Sequence, residues 1–193
     1  MDNLNPQGDN SGAGACIQEP ARAKDLGHYC LACASQGHTC CQGHDIYVTR
    51  GDCERIGRHS RVMDFYEYRG CSHPDYADQG EDPLWQQYVF RLDGSRRVLK
   101  RLAGGDCLFL GPAGCSLPLT ARPLVCRLYP HTFSANGIAG VWDGACPAAK
   151  AETSPMLENG IAGVQWQEAV LWHRMLYTEI LWEAETNEHR LDL

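Results

Sequence analysis

The 193-residue sequence has no apolar run long enough to cross a bilayer, which excludes a helical membrane span. Its N-terminus, MDNLNPQGDNSGAGAC, lacks a basic n-region and an apolar h-region. No secretion signal is expected, and a cytoplasmic location follows by default. Positive charge is scarce: 17 Lys and Arg stand against 24 Asp and Glu, for a formal charge of −7. That balance argues against a nucleic-acid-binding face, which needs a positive surface. Also missing are a Gly-rich phosphate loop, a nucleophile elbow, an H-E-x-x-H pattern and any internal repeat.

What the chain has in excess is cysteine, with 11 residues. The densest stretch is CLACASQGHTCC, Cys30 to Cys41, with His28, His38 and His44 in and beside it. Thiols packed this closely serve either as cross-links or as metal ligands. An odd count fits a fully paired disulfide framework poorly, and a reducing cytosol favours metal binding or catalysis over disulfides. A second region, CLFLGPAGCSLPLTARPLVCRLYP from Cys107 to Pro130, supplies Cys107, Cys115 and Cys126 among Gly and Pro. Cys146 follows Asp143-Gly144 and precedes Pro147. Tight turns let thiolates converge on an ion from different directions.

Four thiolates around a divalent ion carry a net charge of −2, which guanidinium groups or backbone N–H donors aimed at sulfur can offset. Arg122 and Arg127 flank Cys126 and are candidates for that role. A pair of arginines binding a carboxylate is the competing account. His28, His38, His44 and His131 lie close to candidate ligands, so a mixed sulfur–imidazole site stays open, with His44 the foremost of them.

The coarse pattern is α+β: a small, loop-rich, metal-stabilised domain with two short β-hairpins and a long C-terminal helix. Residues 1–20 read as a flexible tail holding Cys16, and 21–193 as a single cysteine-cluster domain. Ala21 to Leu26 suits a short helical lead-in. Ile46-Tyr47-Val48 is strand-like. Thr49 with Asp52 resembles a capping box opening a helix to about His59, on which Cys53 and Ile56 share a face. Cys53 therefore reads as packed rather than ligating. Asp64 to Tyr68 suits either helix or strand, and Gly70 to Pro83 reads as a loop holding Cys71 and His73.

Tyr88 to Leu92, Asp93-Gly94 and Arg96 to Leu102 predict a hairpin, because Asp-Gly turns match the strand twist. Its Arg91, Arg96, Arg97, Lys100 and Arg101 read as a solvated face, with an anion or acidic partner as the alternative. A second hairpin is expected around Asn136-Gly137. Pro123 suits the first turn of a short helix carrying Cys126, which Pro130 stops. Ile161 to about Glu185 reads as the long helix, with Trp166, Ala169, Val170, Leu176, Tyr177, Ile180 and Leu181 on one face. His173, within that face, suits a buried ring bonded to the backbone. Leu171, Met175 and Trp182 form an opposite stripe, which suits either a sandwiched helix or a homodimer or protein-partner contact.

The first thiol run with Gly43-His44-Asp45-Ile46-Tyr47-Val48-Thr49, and the later C-x-F-L, G-C-x-L-P and R-P-x-x-C-R-L-Y-P elements, resemble the YkgJ-type cysteine-cluster proteins. That family is described as a zinc- or iron-chelating domain and includes a flagellin lysine N-methylase, a considerably longer protein. The resemblance spans roughly Cys30 to Cys146. It implies metal ligation by Cys30, Cys33, Cys40, Cys41, Cys107, Cys115, Cys126 and Cys146, and leaves Cys16, Cys53 and Cys71 outside.

Eight thiols would complete two four-cysteine zinc sites or one iron–sulfur cluster with sulfur to spare. The spacing C-x2-C-x6-C-C matches neither ferredoxin pattern nor a zinc ribbon, so zinc and iron–sulfur both stay open. Adjacent Cys40 and Cys41 should point apart and serve different ions, or opposite sides of one cluster. Three functions remain: metal binding for storage, delivery or stability; a metal-dependent modification enzyme, methyltransferase-like and using S-adenosylmethionine at an open coordination position; and a thiol redox-switched interaction module.

Overall fold

The computed structural model describes residues 40–72, 82–141 and 166–186. The expected tail, the helical lead-in, His28, His38 and His73 lie outside them. Helix α1 (Arg50–His59) is followed by strand β1 (Tyr66–Arg69), helix α2 (Pro83–Tyr88), β2 (Arg96–Leu99), β3 (Leu110–Gly111) and β4 (Gly114–Cys115). A 3-10 turn (Leu119–Ala121) leads to α3 (Leu124–Leu128), β5 (His131–Ser134), β6 (Gly137–Val141) and α4 (Trp166–Glu185). Among the described residues the strands pair in antiparallel twos, β1 with β2, β3 with β4 and β5 with β6. The result is a small α+β domain. Among the described residues no helix is long and apolar enough to cross a membrane.

Helix α1 starts as the capping box anticipates. Thr49 Oγ1 accepts the Asp52 N–H at 2.9 Å, and Asp52 Oδ2 accepts the Thr49 N–H at 3.2 Å. Just before it, residues 46–48 run extended beside β2, with Val48 N–H bonded to Arg97 O and Leu99 N–H to Ile46 O. Alternation splits that run between two cores. Tyr47 enters a cluster with Trp85, Val89, Leu124, Leu128, Trp172 and Leu176. Ile46 and Val48 enter another with Ile56, Phe65, Leu99, Phe109 and Leu117.

The first expected hairpin does not form. Asp82 caps α2 by accepting the Trp85 N–H at 3.1 Å, and Pro83 sits in the first turn. Trp85 and Val89, four apart, then bury on one helical face. Asp93-Gly94 does turn the chain, with Gly94 at φ +77°, where a side chain would be strained. The strand it feeds, β2, pairs with β1 instead, in the register Tyr66↔Leu99 to Arg69↔Arg96. The second hairpin forms as expected, with a register shift between Thr132 and Phe133.

The basic residues of β2 are not a solvated face. Arg96 and Arg97 are buried, and Arg97 Nη1 lies 3.0 Å from Glu183 Oε2 of α4, a residue with no exposed surface. Arg101 reaches Asp45 at 2.7 Å and Lys100 reaches Asp64 at 2.6 Å.

Helix α4 buries Ala169, Trp172, His173, Leu176, Tyr177, Ile180 and Glu183, while Leu181, placed inside by the wheel, is exposed. His173 Nε2 donates to Ser134 O at 2.7 Å, the backbone-bonded histidine the face suggested. Leu171 and Trp182 face outward, the latter beneath the Arg50 guanidinium at 5.5 Å.

Replacing Glu183 by Ala strands the Arg97 charge in the interior. It should cost about 3–5 kcal/mol in chemical denaturation. The double variant Arg97→Met/Glu183→Leu, which removes both charges, should recover most of that loss.

Candidate metal centre

The thiols reach one region by separate local devices. Cys41 is fixed by backbone pairing: Cys107 N–H donates to Cys41 O at 2.8 Å, and Gly43 N–H to Gly105 O at 3.2 Å. Both glycines have positive φ, +72° and +88°, so the two turns that set Cys41 beside Cys107 need residues without Cβ. Cys107 opens a turn closed by the Leu110 N–H, which donates to Cys107 O at 2.9 Å, and the Phe109 N–H lies on the side of its sulfur. The β3–β4 hairpin then places Cys115 opposite Leu110. The Leu117 N–H and the Arg122 guanidinium both bond the Cys115 sulfur. Cys126 arrives on α3, which begins directly after Pro123 as anticipated.

Cys53, Cys71, Cys107, Cys115 and Cys126 are free thiols. Cys41, Cys115 and Cys126 pack half-buried against the second core, of which buried Cys107 is a member. Burial pushes the thiol of Cys126 well above its ordinary value, and the neighbouring Cys41, Cys107 and Cys115 push it further. Burial likewise pushes Cys107 up to about 12, with Cys41 and Cys115 adding to the effect and the Phe109 and Leu110 N–H groups opposing it. Four sulfurs thus feel one another's charge. Among the described residues no three His, Cys, Asp or Glu form a ready-made ion cage.

The other candidates fall elsewhere. Cys30, Cys33 and Cys146 lie outside the described residues. Cys40 is exposed and Cys41 half-buried, and the two lie in a turn rather than the extended stretch expected of them. His44 sits exposed in the turn after Cys41. His131 is buried, its Nδ1 2.7 Å from Leu128 O. Arg127 braces the approach to α3: its Nε donates to Arg122 O at 2.8 Å, Nη2 donates to Thr120 O, and its guanidinium lies over Trp172. Cys53 packs against the second core, its thiol pushed up to about 12 by burial.

Sequence reasoning did not foresee the N–H groups of Phe109 and Leu117, although a Cys followed by a Gly-rich turn is the available signal. It also missed buried Asp52 as a neighbour of Cys126, for which no local signal exists.

Sulfur donors with backbone N–H groups and one guanidinium aimed at them suit a thiophilic cation, since those donors lower the cost of ionising sulfur. A family model described as "Putative zinc- or iron-chelating domain", CxxCxxCC, matches residues 29–147. The chain belongs to the CxxCxxCC family. The resemblance to YkgJ-type cysteine-cluster proteins fits this match. No curated protein and no solved structure gives a significant match. The CxxCxxCC segment holds the eight cysteines marked above and ends before α4 begins.

Cys53 and Cys107, raised from an ordinary 9.0 to about 12, keep their protons in the fold when the unfolded chain would release them. Their contribution to stability is intact below about pH 9 and lost as pH rises toward about 12. Thermal melts of reduced, metal-free protein should therefore fall steadily above about pH 9, and Cys53→Ala should flatten part of that fall.

Proposed function

We propose that the protein binds zinc or iron through thiolates drawn from separate chain segments, with Cys41, Cys107, Cys115 and Cys126 forming one four-sulfur site. Cys30, Cys33, Cys40 and Cys146 supply the remainder of an eight-thiol set. The observation that carries this reading is the gathering of Cys41, Cys107, Cys115 and Cys126 on one apolar cluster, with Cys107 N–H bonded to Cys41 O at 2.8 Å. Membership of a family described as zinc- or iron-chelating supports it independently.

In the metal-free state burial favours the protonated thiols of Cys107, Cys115 and Cys126. Uptake of a divalent cation would release these protons and replace neutral apolar packing by coordination. A bound ion would supply a cross-link between the segment at Cys41, the β3–β4 hairpin and α3. The Phe109 and Leu117 N–H groups would orient the sulfurs of Cys107 and Cys115, and Arg122 would offset part of the thiolate charge. Four thiolates satisfy one tetrahedral zinc, and the same four would hold an iron–sulfur cluster. The redox-switch reading is disfavoured, because thiols pushed above their ordinary range are poor nucleophiles.

Anaerobic purification with zinc, iron and acid-labile sulfide analysis tests this directly. Wild-type protein should carry stoichiometric metal, with sulfide and a brown colour marking a cluster. Cys107→Ser and Cys126→Ser should lose that metal, and Cys53→Ser should keep it. Protein that arrives metal-free and takes up neither zinc nor ferrous iron refutes the proposal.

A further inference from the structure

Helix α4 lies outside the family segment, yet its acids reach α1 and β2: Glu179 pairs with Arg55, and Glu183 takes the Arg50 N–H and pairs with Arg97. Asp52, fully buried on α1, accepts three hydrogen bonds beyond α1's own ladder. Oδ2 takes the Thr49 N–H, while Oδ1 takes Arg55 Nη2 at 2.7 Å and the Leu124 N–H at 3.1 Å. The last of these crosses 72 positions to the first residue of α3, whose N-cap, Pro123, gives no side-chain cap of its own. Asp52 therefore replaces the missing cap on the short helix that holds Cys126.

Asp52 is itself held in place. The Arg55 guanidinium bridges it to Glu179 of α4 with bonds of 2.6 and 2.9 Å to the two Glu179 oxygens. Thr49 Oγ1 donates to the same carboxylate. Glu179 fits there because position 51 is glycine: a Cβ on Gly51 would stand 2.5 Å from the Glu179 carboxyl group. The glycine costs helix propensity in the first turn of α1 and is explained by this close approach.

We propose that Asp52 is a positioning residue for the Cys126 sulfur, held in register from the C-terminal helix by Arg55 and Glu179. The inference rests on metal binding at the four-thiol site. The chain of contacts is Glu179 to Arg55 to Asp52 to the Leu124 N–H, and Cys126 lies two residues further along α3. Only the angle and depth at which the sulfur is presented depend on this chain. No member of it is a ligand.

Two variants break the chain without altering a proposed ligand. Glu179→Gln removes the charge that orients Arg55, and Gly51→Ala expels the Glu179 carboxylate while raising the helix propensity of α1. Ile180→Val loosens the packing of the same helix without touching a charge. Each full-length protein is loaded with zinc and its metal is drawn off by a chelator. The apo proteins are also titrated with cobalt(II), whose visible absorption reports the geometry of thiolate coordination.

Glu179→Gln and Gly51→Ala should each weaken zinc retention by about 10-fold, the lower edge for residues behind a metal ligand, and shift the cobalt spectrum. Ile180→Val should lower Tm and leave the spectrum unchanged. Wild-type retention and spectrum in both chain-breaking variants overturn the proposal. So does a loss that Ile180→Val reproduces at the same fall in Tm. Wild-type protein that binds neither cation refutes the metal-binding reading itself, an outcome distinct from both.

Discussion

A chain with three separate two-stranded ribbons leaves many backbone N–H groups that no ladder claims, and buried carboxylates meet that demand here. Asp45 accepts the Ser72 N–H and draws in Arg69 and Arg101. Asp52 accepts the N–H groups of Thr49 and Leu124. Asp82 takes those of Trp85 and Ala135 together with the Tyr177 hydroxyl. Glu183 takes the Arg50 N–H and pairs with Arg97. Each group joins segments distant in sequence, and each is 9 % exposed or less. A side chain with four acceptor sites does what a strand or helix would do in a more regular fold.

The same constraint shapes the thiol region. A four-sulfur site must be neutral and apolar when empty of charge, and anionic when loaded. Packing Cys41, Cys115 and Cys126 against Phe109 and Leu117 serves the first condition. The Phe109 and Leu117 N–H groups and Arg122 serve the second. The raised thiol values follow from these two demands meeting in one place: without a cation, burial outweighs the donors, and protons stay on sulfur. At the proposed site, coordination and folding would be coupled, because an ion's cross-link would join segments tied otherwise by short ribbons and isolated hydrogen bonds.

Much of this was legible in the sequence where the deciding interaction is local. The Thr49–Asp52 capping box, the Asn136-Gly137 hairpin, the short helix after Pro123 and the backbone-bonded His173 all depend on residues within a few positions or on one helical face. The failures share a different cause. The expected strand Tyr88 to Leu92 instead ends a helix and turns, because Asp82 caps that helix while also binding Ala135 and Tyr177, a tertiary choice. The arginines of β2 looked solvated because their acids are remote: Asp45 is 56 positions from Arg101, and Glu183 is 86 from Arg97. The clustering of cysteines announced metal chemistry, but which sulfurs meet depends on turns at Gly43 and Gly105 that no spacing rule encodes.

A carboxylate beside a thiolate site is at first sight misplaced, since Asp52 opposes ionisation of Cys126. Arg55 resolves the conflict. Its guanidinium lies between the carboxylates of Asp52 and Glu179, so the trio carries one net negative charge rather than two. Removing Asp52 to favour the thiolate would leave the Leu124 N–H unsatisfied in a fully buried place. Without Asp52, the start of α3 is left with the bonds that Arg127 makes to Arg122 O and Thr120 O. Given the choice, holding the sulfur-bearing helix in position outweighs a repulsion that a bound cation cancels, and the acid pair with its arginine is the smallest arrangement that allows both.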